Sequence, residues 1–178
     1  MTIFLSGGCK NGKSTLAERC AVTLAGGGPL YYIATMIPHD EEDHARIRRH
    51  VESRAGAGFE TIEQGVNLLE VLHKADPEGT FLLDSVTALL SNEMFPGPEF
   101  DPEAGNRLAG ELEIFARSVK NAVFVSDYLY ADSGRYDSWT ETYRRGLALC
   151  DRRLAACCDA VGEVFSGHHL MYKGELPL

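Results

Sequence analysis

Short apolar runs alternate with longer amphipathic segments along most of the chain. Five runs rich in β-branched, aromatic and aliphatic residues are typical of strands that are buried on both faces. Such strands, alternating with helices, predict an α/β fold with a mostly parallel sheet and helices on both of its faces. The five runs are TIFLS (2–6), LYYIAT (30–35), TFLLDSV (80–86), AVFVSD (122–127) and AVGEVFSG (160–167).

The segments between these runs have helical length and period. They are KSTLAERCAVTLA (13–25), DHARIRRHVESR (43–54), EQGVNLLEVLHKA (63–75), EAGNRLAGELEIFARSVK (103–120) and WTETYRRGLALCDRRLAACC (139–158). The tail HHLMYKGELPL (168–178) is compatible with a short final strand. No internal repeat or interdomain linker interrupts the pattern, so we expect a single domain over residues 1–178.

Composition narrows the class of protein. The chain has 178 residues, 44% of them hydrophobic, and a formal net charge of -9. An acidic chain of this kind argues against nucleic acid as the main partner. No apolar run approaches the roughly 20 residues of a membrane span, so we expect no integral membrane segment. The start, MTIFLSGG, is too short and too uncharged for a signal peptide, and we expect a cytoplasmic protein whose five cysteines are reduced.

The most specific motif is GGCKNGKST (7–15), which matches the phosphate-loop pattern G-x-x-x-x-G-K-[ST]. The motif follows a predicted strand and opens a predicted helix, which is the context that a phosphate loop requires. Gly7 and Gly12 let the backbone wrap around phosphates, and the helix N-terminus adds partial positive charge. Lys13 is expected to reach the β- and γ-phosphates, and the Ser14 hydroxyl to ligate Mg²⁺. The alternative is a glycine turn that binds nothing.

A carboxylate at the end of a neighbouring strand is expected on the metal side of a phosphate loop. Asp84, at the end of TFLLD, is the first candidate, and Asp127, at the end of AVFVSD, is the second. The structural alternative for Asp84 is an N-cap of the following helical segment, SVTALLSNE (85–93).

The basic segment DHARIRRHVESR is unusual in an acidic chain. Arg46, Arg49, His50 and Ser53 follow the i, i+3, i+4, i+7 spacing of one helix face. The two arginines would lower the imidazole pKa of His50, which favours the neutral form that can attack phosphorus. On the residues alone, a solvated face whose arginines pair with the acidic residues 40–43 is the more typical interpretation.

Five motifs in register favour a functional role for the basic segment over a solvated face. They are GGCKNGKS (7–14), YYIAT (31–35), ARIRRHVESR (45–54), TIEQ (61–64) and LLDSVTALLSN (82–92). In this order and spacing the chain resembles the bifunctional adenosylcobinamide kinase/adenosylcobinamide-phosphate guanylyltransferases of cobalamin biosynthesis. The resemblance implies a RecA-like P-loop NTPase fold, both activities, ATP and GTP as substrates with Mg²⁺, and a homotrimer.

The resemblance also implies site residues. His50 matches the histidine that becomes covalently guanylylated, so His50 and Lys13 are the expected catalytic residues. Ser14 and Asp84 are the expected metal ligands. The expected nucleotide contacts are Gly7, Gly8, Cys9, Lys10, Asn11, Gly12, Lys13, Ser14, Thr35, Arg54, Glu63 and Asp84.

Two stretches depart from the family pattern. Cys9, Lys10 and Asn11 replace the usual Ala-Arg-Ser of the phosphate loop. SDYLYADSGRYDSW (126–139) replaces a strand end that usually reads Thr-Asn-Glu-Val-Gly and leads into a glycine-rich loop. Elsewhere, we interpret the adjacent His168 and His169 as structural or surface residues, and Trp139 and Tyr143 as packing residues.

Two rival functions remain compatible with the residues. A plain small-molecule or nucleotide kinase would use the phosphate loop without a covalent intermediate. A nucleotide-sensing interaction protein would bind GTP at residues 12–14 only to set a conformation.

Overall fold

A computed structural model describes residues 1–38, 41–42, 48 and 54–178 of the chain. Seven strands form one sheet in the spatial order β3-β2-β4-β5-β1-β6-β7. All neighbouring strands are parallel except β6 and β7, which form an antiparallel hairpin. The strands are β1 (Thr2–Gly7), β2 (Leu30–Ala34), β3 (Glu60–Glu63), β4 (Thr80–Asp84), β5 (Asn121–Asp127), β6 (Ala160–Phe165) and β7 (His168–Lys173).

Within the described ranges, four α-helices with defined bounds cover the sheet on both faces, which confirms the predicted α/β architecture. They are α1 (Lys13–Ala25), α2 (Val86–Met94), α3 (Ala104–Ser118) and α4 (Ser138–Cys157). On one face α1 packs on a buried cluster that includes Ile3, Leu5 and Val125. On the other face α2, α3 and α4 pack on a larger cluster around Phe81 and Phe124. No helix in the described ranges is both long and apolar enough to cross a membrane.

The prediction of an α-helix over residues 63–75 is wrong, because only a 3-10 helix, Leu68–His73, forms there. Glu63 ends β3, a short strand that the sequence pattern did not reveal. The buried amide of Gln64 then donates to the carbonyl oxygen of Asn67. Asn67 itself has a left-handed backbone (φ 53°), which is incompatible with continuing an α-helix. The predicted basic helix at 43–54 lies largely outside the described residues.

The register of the parallel strands aligns their carboxyl ends along one edge of the sheet. Gly7 of β1 lies opposite Asp127 of β5, and Asp84 of β4 lies opposite Val125 of the same strand. Ala34 of β2 pairs with Asp84 on one side and with Glu63 on the other. The phosphate loop and the acidic strand ends that the sequence singled out therefore share one edge, as expected for a ligand site in an open α/β sheet.

Helices α3 and α4 approach each other most closely where two glycines meet. A Cβ built on Gly105 would lie 2.6 Å from the Cα of Gly146. We expect Gly105→Ala to lower the free energy of unfolding by about 1–3 kcal/mol, because the added methyl group forces the two helices apart. Urea denaturation followed by circular dichroism measures the change.

Gly110→Ala is the matched control on the same helix, since a Cβ at Gly110 has no atom within 4 Å. Removing a glycine from an exposed helix position should raise stability by about 0.5–1 kcal/mol. If the two substitutions change stability with the same sign, the glycine contact does not set the spacing of α3 and α4.

Candidate functional site

The phosphate loop has the backbone that its glycines were expected to permit. Gly12 lies in the left-handed region (φ 89°) immediately before α1, and its carbonyl accepts from Leu16 N (3.1 Å) in the first turn of the helix. A Cβ on Gly7 would collide with the carbonyl oxygen of Val164 on β6. Asn11 Nδ2 donates to the same oxygen at 3.2 Å. The loop is thereby held against β6 at the N-terminus of α1, where backbone N–H groups can face an anion.

Lys13 is folded into the loop and is only 5% exposed. Its ammonium donates to the carbonyl oxygen of Gly8 at 2.6 Å and to Oδ1 of Asp127 at 2.7 Å. Asp127, the second-ranked acid in the sequence, is therefore the residue that neutralises Lys13 in this structure. A phosphate that enters the loop must compete with this carboxylate for the lysine.

Asp84 occupies a different position along the same edge. Its Oδ2 accepts from the hydroxyl of Tyr32 at 3.3 Å. Burial and the neighbouring carboxylate of Asp84 raise the pKa of Tyr32, so the phenol remains a hydrogen-bond donor. The N-cap of α2 is Ser85, whose hydroxyl accepts from the N–H of Ala88. The capping alternative for Asp84 is therefore wrong.

Arg54 and Glu18 extend this contact on the α1 face of the sheet. The Arg54 guanidinium lies over the ring of Tyr32, 3.4 Å from its centroid, and is 6% exposed. Its Nη1 is 4.0 Å from Oε1 of Glu18 on α1. Burial, and to a lesser extent the charge of Asp84, raise the pKa of Glu18, while Arg54 opposes the rise. Sequence reasoning missed Glu18, which lies outside the motifs, and Tyr32, which lies in YYIAT but has no chemical role implied by that motif.

Thr35 lies at the expected edge but is committed to the protein backbone. Its buried hydroxyl donates to the carbonyl oxygen of Ser85 (2.9 Å) and accepts from the Ser85 N–H (2.7 Å). Asn92 donates to the carbonyl oxygens of both Thr35 and Gly65. These bonds fix the end of β2 against Ser85, the N-cap of α2, and against Asn92 in the last turn of the same helix. Glu63, by contrast, is exposed at the end of β3.

The divergent segment after β5 is organised by Arg144 of α4. The guanidinium donates to the carbonyl oxygens of Leu129, Tyr130 and Asp132, and it forms an ion pair with the carboxylate of Asp132 at 3.0 Å. The Tyr130 hydroxyl donates to the buried Oδ2 of Asp151 at 2.7 Å. A segment without the family's glycine-rich pattern is thus held beside Asp127 by one buried cation.

Trp139 and Tyr143 pack as predicted. Trp139 stacks on Phe100 with 5.2 Å between ring centroids, although its ring remains half exposed. The Tyr143 hydroxyl donates to the carbonyl oxygen of Thr87 on α2. His50, with Arg46, Arg49 and Ser53, lies outside the described residues.

Within the described ranges, no three His, Cys, Asp or Glu side chains gather in a group that could hold a metal ion. Mg²⁺ at a phosphate loop is held by one or two protein oxygens together with substrate phosphates, so it does not require such a group. Ser14 at the start of α1 and Asp84 at the end of β4 carry side-chain oxygen atoms of the type that Mg²⁺ prefers.

Comparison with known proteins shows the family to which the chain belongs. The family model described as cobinamide kinase / cobinamide phosphate guanyltransferase matches residues 3–172. The chain is 36% identical, over 180 aligned residues, to the bifunctional adenosylcobalamin biosynthesis protein CobP of Pseudomonas aeruginosa. That alignment covers 98% of this chain and 99% of the relative.

Solved structures share the fold at low sequence identity. The KaiC-like protein PH0186 of Pyrococcus horikoshii superposes with a TM-score of 0.54 and 14% identity, covering 97% of this chain and 78% of that one. The protein PH0250 of the same organism gives a TM-score of 0.52 and 9% identity, with 97% and 86% covered. These likenesses show the same α/β fold.

Substitution of each of the two acids at the carboxyl edge is expected to affect nucleotide binding in a different way. Asp84→Asn should remove a metal-side charge, so the Mg²⁺ concentration needed for tight GTP binding should rise by about tenfold or more. Asp127→Asn should release Lys13 and tighten Mg²⁺-free GTP binding several-fold. Titration of a fluorescent GTP analogue with and without Mg²⁺ measures both effects. A wild-type Mg²⁺ dependence in Asp84→Asn, with its loss in Asp127→Asn, would reverse the two roles.

Asp151 gives a pH prediction. Burial raises the pKa of this carboxyl to about 6. The pKa of Asp151 is higher in the folded protein than in the unfolded chain. The free energy of unfolding should therefore fall as pH rises from about 4 through about 6, by an amount on the order of 3 kcal/mol. Asp151→Asn cannot titrate and should lack this loss. Urea denaturation of both proteins between pH 4 and 7.5 should therefore show the variant gaining on wild type as pH rises. A constant difference would mean that Asp151 is not buried in its ionised form.

Proposed function

Because the chain belongs to the cobinamide kinase / cobinamide phosphate guanyltransferase family and is an enzyme of cobalamin biosynthesis, we propose that its two reactions proceed at one phosphate loop and through His50. In the first, the aminopropanol hydroxyl of adenosylcobinamide attacks the γ-phosphorus of ATP or GTP. The bond to the β-phosphate oxygen breaks, and a nucleoside diphosphate leaves as the hydroxyl loses its proton. Adenosylcobinamide phosphate is the product.

The second reaction takes two displacements. A neutral imidazole nitrogen of His50 attacks the α-phosphorus of GTP, and the bond to the β-phosphate oxygen breaks to release pyrophosphate. A phosphate oxygen of adenosylcobinamide phosphate then attacks the same phosphorus. The phosphorus–nitrogen bond breaks, which yields adenosylcobinamide-GDP and restores the histidine.

The position of Arg54 is the observation that supports this proposal most directly. Arg54 ends the basic segment and is buried against Tyr32, whose hydroxyl binds Asp84. His50 is four residues earlier in the chain, a distance that extended backbone spans in at most about 14 Å. The basic segment thus rejoins the described chain within reach of the carboxyl edge on which Lys13 and Asp84 lie.

Other residues have supporting roles in this proposal. Lys13 meets the β- and γ-phosphates once they displace Asp127, and backbone groups from Gly7 to Ser14 surround them. Ser14 and Asp84 would hold Mg²⁺, which supplies neutralising charge at the phosphates when bound. Arg54 and Glu63 contact GTP from the β2–β3 side. In this proposal the enzyme is a homotrimer, by resemblance to its family, and it acts in the cytoplasm, as expected from its sequence.

Transfer of label from nucleotide to protein tests the histidine. Wild-type protein incubated with α-labelled GTP should retain labelled GMP after denaturation and release pyrophosphate. The label should be labile to acid and fairly stable to base, because it is held by a phosphorus–nitrogen bond. His50→Ala should carry no label but should still phosphorylate adenosylcobinamide, since the kinase step does not use His50.

His73→Ala is the matched control, because His73 is an exposed histidine in the 3-10 helix outside the site. It should label as wild type does. A plain kinase would show no label in any of the three proteins, and a nucleotide sensor would in addition leave adenosylcobinamide unphosphorylated. Label that persists in His50→Ala would place the acceptor on another residue.

A further inference from the structure

A cavity of about 550 Å³ opens between the first turns of α1 and the β6–β7 hairpin. Asn11 and Gly12 of the phosphate loop form one end of it. We propose that this cavity binds the nucleoside of the triphosphate that donates its γ-phosphoryl group in the kinase reaction. The proposal rests on the proposed function for the identity of that reaction, but it assigns the nucleoside a place that the catalytic residues do not define.

The first argument is continuity with the phosphate site. A triphosphate that lies in the loop continues directly into this cavity through Asn11 and Gly12. The hydrogen bond from Asn11 to the Val164 carbonyl oxygen (3.2 Å) ties the hairpin to the loop. Phosphate site and cavity therefore keep a fixed separation, which a nucleotide that spans both requires.

The second argument is the chemistry of the walls. Leu16 on α1 is half buried and lines the cavity, so it offers apolar surface to a flat ring. The exposed side chains of Arg19, His168 and His169 surround that surface with planar, hydrogen-bonding groups. Such groups stack on aromatic bases and bind their polar edges. The volume lies within the roughly 300–1,000 Å³ of small-molecule sites.

The third argument concerns direction. Glu18 contacts Arg54 on one side of α1, whereas its neighbours Thr15 and Arg19 line the cavity on the side of β6 and β7. The sheet order places β2 and β3 on the opposite side of β1 from β6 and β7. A nucleotide with its nucleoside in the cavity has its α-phosphate on the cavity side, away from the end of the basic segment. This orientation directs the γ-phosphate, rather than the α-phosphate, toward the side of α1 on which Arg54 lies, and so it suits transfer of the γ-phosphoryl group.

Thus the two reactions share one phosphate loop but bind their nucleosides in opposite directions. Thr15→Trp tests this by filling the cavity from the exposed side of α1. In the presence of Mg²⁺, the Kd for ATP should rise by about tenfold or more as base contacts are lost. The Kd for inorganic tripolyphosphate, which has no nucleoside, should stay within about twofold of the wild-type value.

Val22→Trp is the matched control, because Val22 is an exposed residue of the same helix outside the cavity. It should leave both dissociation constants unchanged. His169→Ala attacks the opposite wall without adding bulk and should weaken ATP binding but not tripolyphosphate binding. If Thr15→Trp distorts the phosphate loop itself, the result for His169→Ala decides whether the cavity binds the nucleoside. ATP binding that stays unchanged in both cavity variants, or falls in step with tripolyphosphate binding, overturns the proposal.

Guanylylation separates this inference from the function on which it rests. Thr15→Trp should still take label from α-labelled GTP, because that nucleotide points toward Arg54 rather than into the cavity. Labelling that falls in parallel with ATP binding would mean that one nucleoside pocket serves both reactions, and would overturn the opposite orientations. Absence of label in wild-type protein would refute the histidine intermediate while the ATP and tripolyphosphate measurements still decide whether the cavity binds a nucleoside.

Discussion

The buried ammonium of Lys13 needs a counter-charge inside the protein, and the arrangement of the carboxyl edge depends on this need. Burying an unpaired charge costs several kcal/mol, so Lys13 at 5% exposure needs partners inside the protein. It has two, the Gly8 carbonyl oxygen and Asp127. The second is available only because β5 lies next to β1 with Gly7 opposite Asp127. Strand order and register thus supply the counter-charge that the phosphate loop needs before a nucleotide arrives.

The same strand order separates two acids that look equivalent in the sequence. β5 lies between β1 and β4, so Asp127 is next to the loop and Asp84 is one strand further away. Asp127 holds Lys13, and Asp84 is held by Tyr32. One carboxylate is paired with a buried cation, while the other accepts a hydrogen bond from a phenol. The two aspartates therefore differ in their contacts because of their positions in the sheet and not because of their residue type.

Much of this could be predicted from the pattern of the chain, and the misses have physical causes. Continuous apolar runs identified five strands, because strands buried on both faces require them. β3 escaped detection since only Ile62 is buried in it. The helix expected at 63–75 did not form because Gln64 bonds the local backbone and Asn67 is left-handed. Local sequence does not encode these interactions in any periodic form.

The residues of the candidate site also fall into those that the sequence could predict and those that it could not. The phosphate loop could be found because a fixed spacing carries its chemistry. The sequence ranks Asp84 before Asp127, but both end apolar strands, and which of the two lies next to the loop depends on the order of the strands in the sheet. Arg144 and Asp151 could not be found at all, because their roles arise from burial and from contacts with a distant loop. His168 and His169 read as surface residues in the sequence, and both are exposed, but the hairpin turns them toward a cavity beside the loop.

A single lysine at the loop also constrains how two reactions can share the enzyme. Lys13 can accept only one triphosphate, so a nucleotide bound in either direction excludes the other and must displace Asp127 first. On the proposed function, the kinase product is the acceptor for guanylyl transfer. The nucleoside diphosphate must therefore leave the loop before GTP can deliver its α-phosphate to His50. In the proposed arrangement the two nucleosides lie on opposite sides of α1, so the leaving and entering nucleotides compete for the phosphate site alone. Each reaction can then select its base independently of the other.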